Sequence, residues 1–120
     1  LNQVPNISFR SHNAAWEEAM RRFTLQIADY VTPYLAKNGG PIILAQIENE
    51  YNGGDSAYVD WCGDLVTNEL SSTGLVWIMC NGKSANSTVE TCNSCNCVDD
   101  GWVTRHQQTQ PSQPMMFTEN

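Results

Sequence analysis

Two carboxylates close an apolar run at Gln46, Ile47, Glu48, Asn49, Glu50 and Tyr51. Burying a carboxylate is costly, so a pair of them behind Ile42, Ile43, Leu44 and Ala45 calls for a reason. In parallel α/β folds the carboxyl end of a strand is where active sites are assembled. A two-residue strand period points Glu48 and Glu50 to one side, into a cleft or barrel interior, and Asn49 to the other unless the strand end bends. Like charges that close resist simultaneous ionisation, which suits one of them to donate a proton. The plainer alternative is a polar strand end running into a solvated loop. A further carboxylate, Glu119, follows the short apolar run Met115, Met116 and Phe117. Two carboxylates at strand ends of one α/β sheet are the pair that glycoside hydrolysis uses. One protonates the leaving oxygen and the other attacks the anomeric carbon. The alternative for Glu119 is an ordinary loop glutamate.

The elements that must position these groups alternate between helix and strand. Trp16, Met20, Phe23, Ile27, Tyr30, Val31, Tyr34 and Leu35 recur at spacings of three and four. That predicts a helix over Asn13 to Asn38 with its stripe packed in the core, capped by Ser11 or Asn13. Pro33 predicts a kink or restart, and Gly39, Gly40 and Pro41 a stop. Glu17 with Arg21 and Glu18 with Arg22 are spaced as i,i+4 pairs on its exposed side. The unalternating apolar run Pro41 to Ile47 reads as a strand buried on both faces, as in a parallel sheet. Gly53, Gly54 and Asp55 make a loop and cap for a second helix over Ser56 to Leu70, with Val59, Cys62, Leu65, Val66 and Leu70 inward. Leu75 to Cys80 is the next strand. A loop-rich stretch from Asn81 to Gln113 contains a short strand near Val89 to Cys92, and Met115 to Phe117 is the last strand. This order is α/β. Alternation alone does not separate a barrel from an open doubly wound sheet.

Composition narrows the partners. A chain of 120 residues has room for one domain. Six Lys and Arg against 13 Asp and Glu give a net charge of −7, which argues against nucleic acid or an anionic membrane surface. No apolar run approaches the ~18–20 residues of a membrane span. The chain opens on Leu1 and stops just after an apolar run, and so reads as an internal fragment. Four of five cysteines lie between Cys80 and Cys97. A disulfide is expected there. The alternative is a metal held by Cys80, Cys92, Cys95 and Cys97, although a zinc ribbon wants two separated C-x2-C knuckles and only one is present. Asn-x-Ser/Thr sequons at Asn6 and Asn86, with the clustered cysteines, point to the secretory route. His12 and His106 read as solvated loop residues, Cys62 and Trp61 as core, and Trp77 and Trp102 as core or sugar-stacking.

The run from Gly39 through Pro41, Ile42, Ala45, Gln46, Glu48, Asn49 and Glu50 to Tyr51 resembles the signature of the β-galactosidases of glycoside hydrolase family 35. Val4, Pro5, Phe9, Arg10 and Asn13 resemble that family's lead-in to the preceding helix. Trp77, Met79, Cys80 and Asn81, then Thr91, Cys92 and Asn93, resemble its plant-type branch. Met116, Phe117, Thr118 and Glu119 resemble its nucleophile strand. The resemblance covers nearly the whole chain in order. It implies a partial (β/α)8 TIM barrel, roughly strands 4 to 7, with the remaining strands and accessory domains outside this chain. By the same resemblance Glu50 is the proton donor and Glu119 the nucleophile. Asn49 is a sugar-binding residue directed at the 2-hydroxyl, and Glu48 contacts sugar or orients its neighbours. Ala45 and Gln46 support the barrel interior.

The implied activity is retaining, exo-acting removal of terminal β-D-galactose from a β-galactoside or galactan-type glycan. It needs no metal or organic cofactor, and the implied setting is extracellular, cell-wall or vacuolar. Two departures stand out. Asn52 replaces the Gly that usually follows the signature, and the Cys92, Asn93, Ser94, Cys95 spacing is short. The units between Glu50 and Glu119 are shorter than the ~31 residues of an average barrel unit, so strand 6 is expected to lack a full helix. The competing readings are a carbohydrate-binding homologue without turnover, against which both carboxylates stand, and a Cys-rich metal-binding domain.

Overall fold

The computed structural model describes residues 3–94 and 96–119. Helix α1 (Ala14–Val31) begins where Asn13, in extended backbone, accepts the Trp16 N–H on its side chain. That bond satisfies one of the amide protons left free at every helix start. Pro33 ends the regular helix, and the chain tightens into 3-10 turns at Thr32–Tyr34 and Ala36–Asn38. Gly39 then turns the chain with φ 85°, a conformation that favours glycine. Strand β1 (Leu44–Tyr51) follows. Asp55 caps helix α2 (Ser56–Glu69) by accepting the Tyr58 N–H. The remaining elements are β2 (Val76–Gly82), β3 (Val89–Asn93), α3 (Trp102–Thr109) and β4 (Phe117–Glu119). Helix α3 has only two turns, in keeping with the short unit after β3.

The strands form one sheet in the order β1-β2-β3-β4, every neighbouring pair parallel. This is the α/β alternation expected from the sequence. Its consequence for chemistry is direct, because four parallel strands deliver four carboxyl ends to one edge. The core forms where α2 lays Tyr58, Val59, Cys62, Leu65 and Val66 against Ile47, Tyr51, Trp77 and Met79 of the sheet. Burying each such side chain contributes roughly 1.5–3 kcal/mol. A smaller cluster joins Cys92, Cys97 and Trp102, and a disulfide links Cys92 to Cys97. Cys95 lies outside the described residues. No helix among the described residues is long and apolar enough to cross a membrane.

Several expectations are corrected by packing. The α1 stripe is not core here. No α1 residue is buried, and Phe23, Ile27 and Tyr30 are exposed, because only one flank of the helix meets α2 and the sheet. Trp16, Met20, Leu25 and Ala28 make that contact. The i,i+4 pairs give way to longer-range partners. Arg21 binds Glu69 of α2 at 2.7 Å, and Glu17 binds His12. His106 is not solvated. It is 1% exposed on α3, with Nδ1 3.1 Å from Glu90 Oε2 and its ring stacked on Trp102. Trp77 and Trp102 both resolve as core.

Candidate active site

Two backbone irregularities aim the side chains at the end of β1. Gln46 pairs with Ile78 and Glu48 with Met79, so Ile47 is an extra residue in the ladder. Such a bulge keeps two successive residues on one side of the sheet, and Glu48 follows Ile47 toward the helices. Alternation then resumes, with Asn49 paired to Cys80 on the opposite face. Glu50 breaks it again with φ 52°. The expected grouping of Glu48 with Glu50 is therefore corrected. Glu48 points to the helix layer, whereas Glu50 swings over the strand ends. Among the described residues only Asn6, Arg10, Glu50 and Asn81 are non-glycine positions with positive φ. Three of the four meet at this edge, a concentration of backbone strain of the kind functional sites hold.

Glu48 is the anchor of the strand end. Its Oε1 accepts from Arg10 Nε at 2.9 Å and from the Tyr58 hydroxyl at 2.9 Å. Its Oε2 accepts from Arg10 Nη2 at 3.2 Å and from the Asn49 N–H at 2.6 Å. Arg10 also donates to the Asn49 carbonyl at 2.6 Å and lies over the Tyr51 ring. The bond to Glu48 holds the Arg10 guanidinium above its ordinary range. Burial pushes the Tyr58 phenol up, so it remains a donor to Glu48. Burial likewise pushes the Cys62 thiol beneath it up to about 12. Every contact to Glu48 comes from a donor, and of these groups only the Tyr58 hydroxyl could also accept.

Asn49 is exposed on the other face, and its orientation is set from below. Its Oδ1 accepts from Gln46 Nε2 at 2.7 Å and from Cys80 Sγ at 2.7 Å. With the carbonyl oxygen occupied twice, the amide N–H2 is the group it presents outward. A sugar hydroxyl oxygen is a fitting acceptor.

Glu50 reaches two strands across. Its Oε1 accepts from Asn93 Nδ2 at 2.6 Å. Strands β1 and β3 would stand about 9.6 Å apart in a flat sheet, so the side chains converge over the end of β2. Asn81, at the end of β2, braces Asn93 by accepting its N–H at 2.9 Å and donating to its carbonyl. Asn93 is in turn the ladder partner of Glu119, where the register slips and Thr118 becomes the extra residue. Partners in a ladder share a face, which places Glu119 beside Asn93 on the edge that carries Glu50. Glu119 is exposed, and its carbonyl accepts the Ser94 N–H. Asn49, Glu50 and Glu119 thus come to one edge, while Glu48 lies behind them.

Tyr58, Asn81 and Asn93 enter the site without having been assigned a part from sequence, and Cys80, weighed there as a metal ligand, instead supports Asn49. One signal was available: the dipeptide Cys-Asn closes both β2 and β3, at Cys80-Asn81 and Cys92-Asn93. The positive φ at Glu50 and Asn81 has no comparable signature. Among the described residues no group of three or more His, Cys, Asp or Glu is gathered for a metal. Cys92 is in a disulfide and Cys80 donates to Asn49.

The family model for glycosyl hydrolases family 35 matches residues 1–120. Over its whole length the chain is 37% identical to "Probable beta-galactosidase 2" of Dictyostelium discoideum, covering 16% of that protein. It is 36% identical to "Beta-galactosidase 6" of Oryza sativa subsp. japonica and 36% identical to "Beta-galactosidase 8" of Arabidopsis thaliana, covering 14% of each.

Proposed function

The chain belongs to glycosyl hydrolase family 35, and from that premise we propose that it carries both catalytic carboxylates of a retaining, exo-acting β-galactosidase. Glu119 attacks the anomeric carbon of a terminal β-galactose through a carboxylate oxygen. The glycosidic C–O bond breaks, and Glu50 delivers its proton to the departing oxygen. In the second step Glu50 takes a proton from water, whose oxygen attacks the same carbon and releases Glu119. Asn49 donates its amide N–H to the 2-hydroxyl oxygen. Glu48, held by Arg10 and Tyr58, orients Asn49 through its N–H. Each proton and electron pair is accounted for by these groups and water, so the mechanism calls on no cofactor.

One observation carries this reading. The carboxylate of Glu50 is bonded to Asn93, and Asn93 is the ladder partner of Glu119. That continuity supports two carboxylates facing one sugar. The sheet supports the barrel as well. Strands β1 and β4 are its outer strands, and a parallel sheet of this kind closes only when further strands pair along both. On this reading the chain supplies strands 4 to 7, and the rest of the full-length protein supplies the others. The Cys92–Cys97 disulfide supports a secreted, cell-wall or vacuolar setting. There Asn86, exposed in its loop, is an acceptor for N-linked glycan.

Azide rescue in the full-length enzyme tests the assignment. Glu119→Gly should abolish turnover, and added azide should then yield β-galactose's inverted azide adduct. Glu50→Ala should still release good leaving groups, and azide should speed its second step with retention. Inverted sugar from the unaltered enzyme, or full activity in either variant, overturns the proposal.

A further inference from the structure

We propose that Asn93 is a positioning residue for Glu50, holding one carboxylate oxygen so that the other alone carries the exchanged proton. The inference rests on the reading of Glu50 as the acid/base. Asn93 is buried, and its backbone is already secured on both sides. Its N–H goes to Asn81 Oδ1, and its carbonyl accepts from the Asn81 amide. The side chain is therefore not needed to hold the strand. It is directed at Glu50, with Nδ2 2.6 Å from Oε1, and its own buried Oδ1 has no hydrogen-bond partner among the described residues. An orphaned carbonyl is unfavourable, and the bond to Glu50 is what offsets it.

The chemistry of the donor matters. An amide N–H2 gives a hydrogen bond but takes no proton. While it faces Oε1, that oxygen stays an acceptor and the proton resides on Oε2. When the proton leaves, the same bond favours the carboxylate that forms, and it holds the carboxylate still for the return step with water. A histidine or carboxyl group here would exchange protons with Glu50, whereas Asn93 does not. The other titratable groups at this edge are Glu48, tied to Arg10, then Cys80, bonded to Asn49, and Glu119 across from Asn93. Asn93 is the neutral group among them that touches Glu50.

The test uses the full-length enzyme with Asn93→Ala and Asn93→Asp. The latter is isosteric and retains the main-chain bonds to Asn81, so it serves where Asn93→Ala misfolds. Each is assayed on an alkyl β-galactoside and on dinitrophenyl β-galactoside, whose leaving group needs no proton. The expected result is a loss of about 10–100-fold in kcat/KM on the alkyl substrate and less than about threefold on the activated one. In Asn93→Asp the added negative charge opposes ionisation of Glu50, so the basic limb of the kcat/KM profile should move to higher pH. Equal losses on both substrates with an unmoved basic limb overturn the inference and leave Asn93 a strand residue. Glu50→Ala is run beside them with azide. Absence of azide acceleration there overturns the assignment of Glu50 itself, whatever the Asn93 variants do.

Discussion

Replacing Glu48 by glutamine changes one oxygen to N–H2 and tests the logic of the strand end. All four contacts to this carboxylate come from donors: Arg10 Nε and Tyr58 on Oε1, Arg10 Nη2 and Asn49 N–H on Oε2. An amide nitrogen at the Oε2 position would face two N–H groups, neither able to accept. At the Oε1 position it would face Arg10 Nε, and only the Tyr58 hydroxyl could turn round to accept. The less damaging orientation therefore loses a charge-assisted bond, about 1.5–3 kcal/mol. The Glu48 side chain is only 10% exposed, so water does not readily replace the loss there. Arg10 at 43% can recover solvent, which keeps the effect below the ~3–5 kcal/mol of breaking a fully buried pair. We expect about 2–3 kcal/mol. Because Glu48 accepts the N–H of Asn49 and Arg10 holds the Asn49 carbonyl, part of this should reach the site.

In the full-length protein Glu48→Gln should lower the unfolding midpoint. It should also cost about 10–100-fold in kcat/KM. A double-mutant cycle with Arg10→Ala should show the two changes coupled by more than about 1 kcal/mol. Additivity within about 0.5 kcal/mol, or a silent Glu48→Gln, would refute the reasoning.

Two further outcomes are expected in the same enzyme. The Cys92–Cys97 disulfide closes a loop at a sequence separation of five, for which the chain-entropy account gives about 2 kcal/mol. Reductant should therefore lower the thermal midpoint, Cys97→Ser should already show that loss, and a reductant-insensitive melt would count against it. Asp55 accepts the N–H of His12 and the N–H of Tyr58, and these bonds hold its carboxyl below its ordinary value of 3.8. Its contribution is thus present above that value and disappears as pH falls through the lower, folded one. Asp55→Ala should lower stability near neutral pH and flatten the acid side of the stability profile. An unchanged slope would show that the cap does not act through its charge.

Much of the architecture is legible because it follows from local chemistry. Asn13 and Asp55 cap helices whose starts they mark in the sequence, whereas the first helix, expected to run to Asn38, stops at Val31 ahead of Pro33, and Gly39 closes only the 3-10 turn that follows. The apolar run before Gln46 reads as a parallel strand because it lacks alternation, and β1 is parallel to β2. The expected burial on both faces does not hold in this chain, where Ile43 is exposed and only Ile47 and Tyr51 of β1 are buried. The fate of α1 was not legible. Its stripe has the period of a core helix, yet a period does not say how many neighbours a helix has. Among the described residues none covers Phe23 or Tyr30, and both stay largely exposed. Charge pairs behaved similarly, since a spacing of four offers Arg21 a partner on its own helix and α2 offers a bidentate one in Glu69.

At the site the division is sharper. The residues proposed to do chemistry, Glu48, Asn49, Glu50 and Glu119, and their placement at strand ends, are legible in the sequence alone, because burial cost and strand length are local matters. Which way each one points is not. A one-residue bulge at Ile47 sends Glu48 to the helices, and a left-handed backbone at Glu50 sends its carboxylate across the sheet. Both depend on pairing with β2, since register is a property of two strands and not of one. The bond from Asn93 to Glu50 spans two strands and 43 positions. Parallel pairing of both strands with β2, together with the left-handed backbone at Glu50, brings those groups within hydrogen-bond reach.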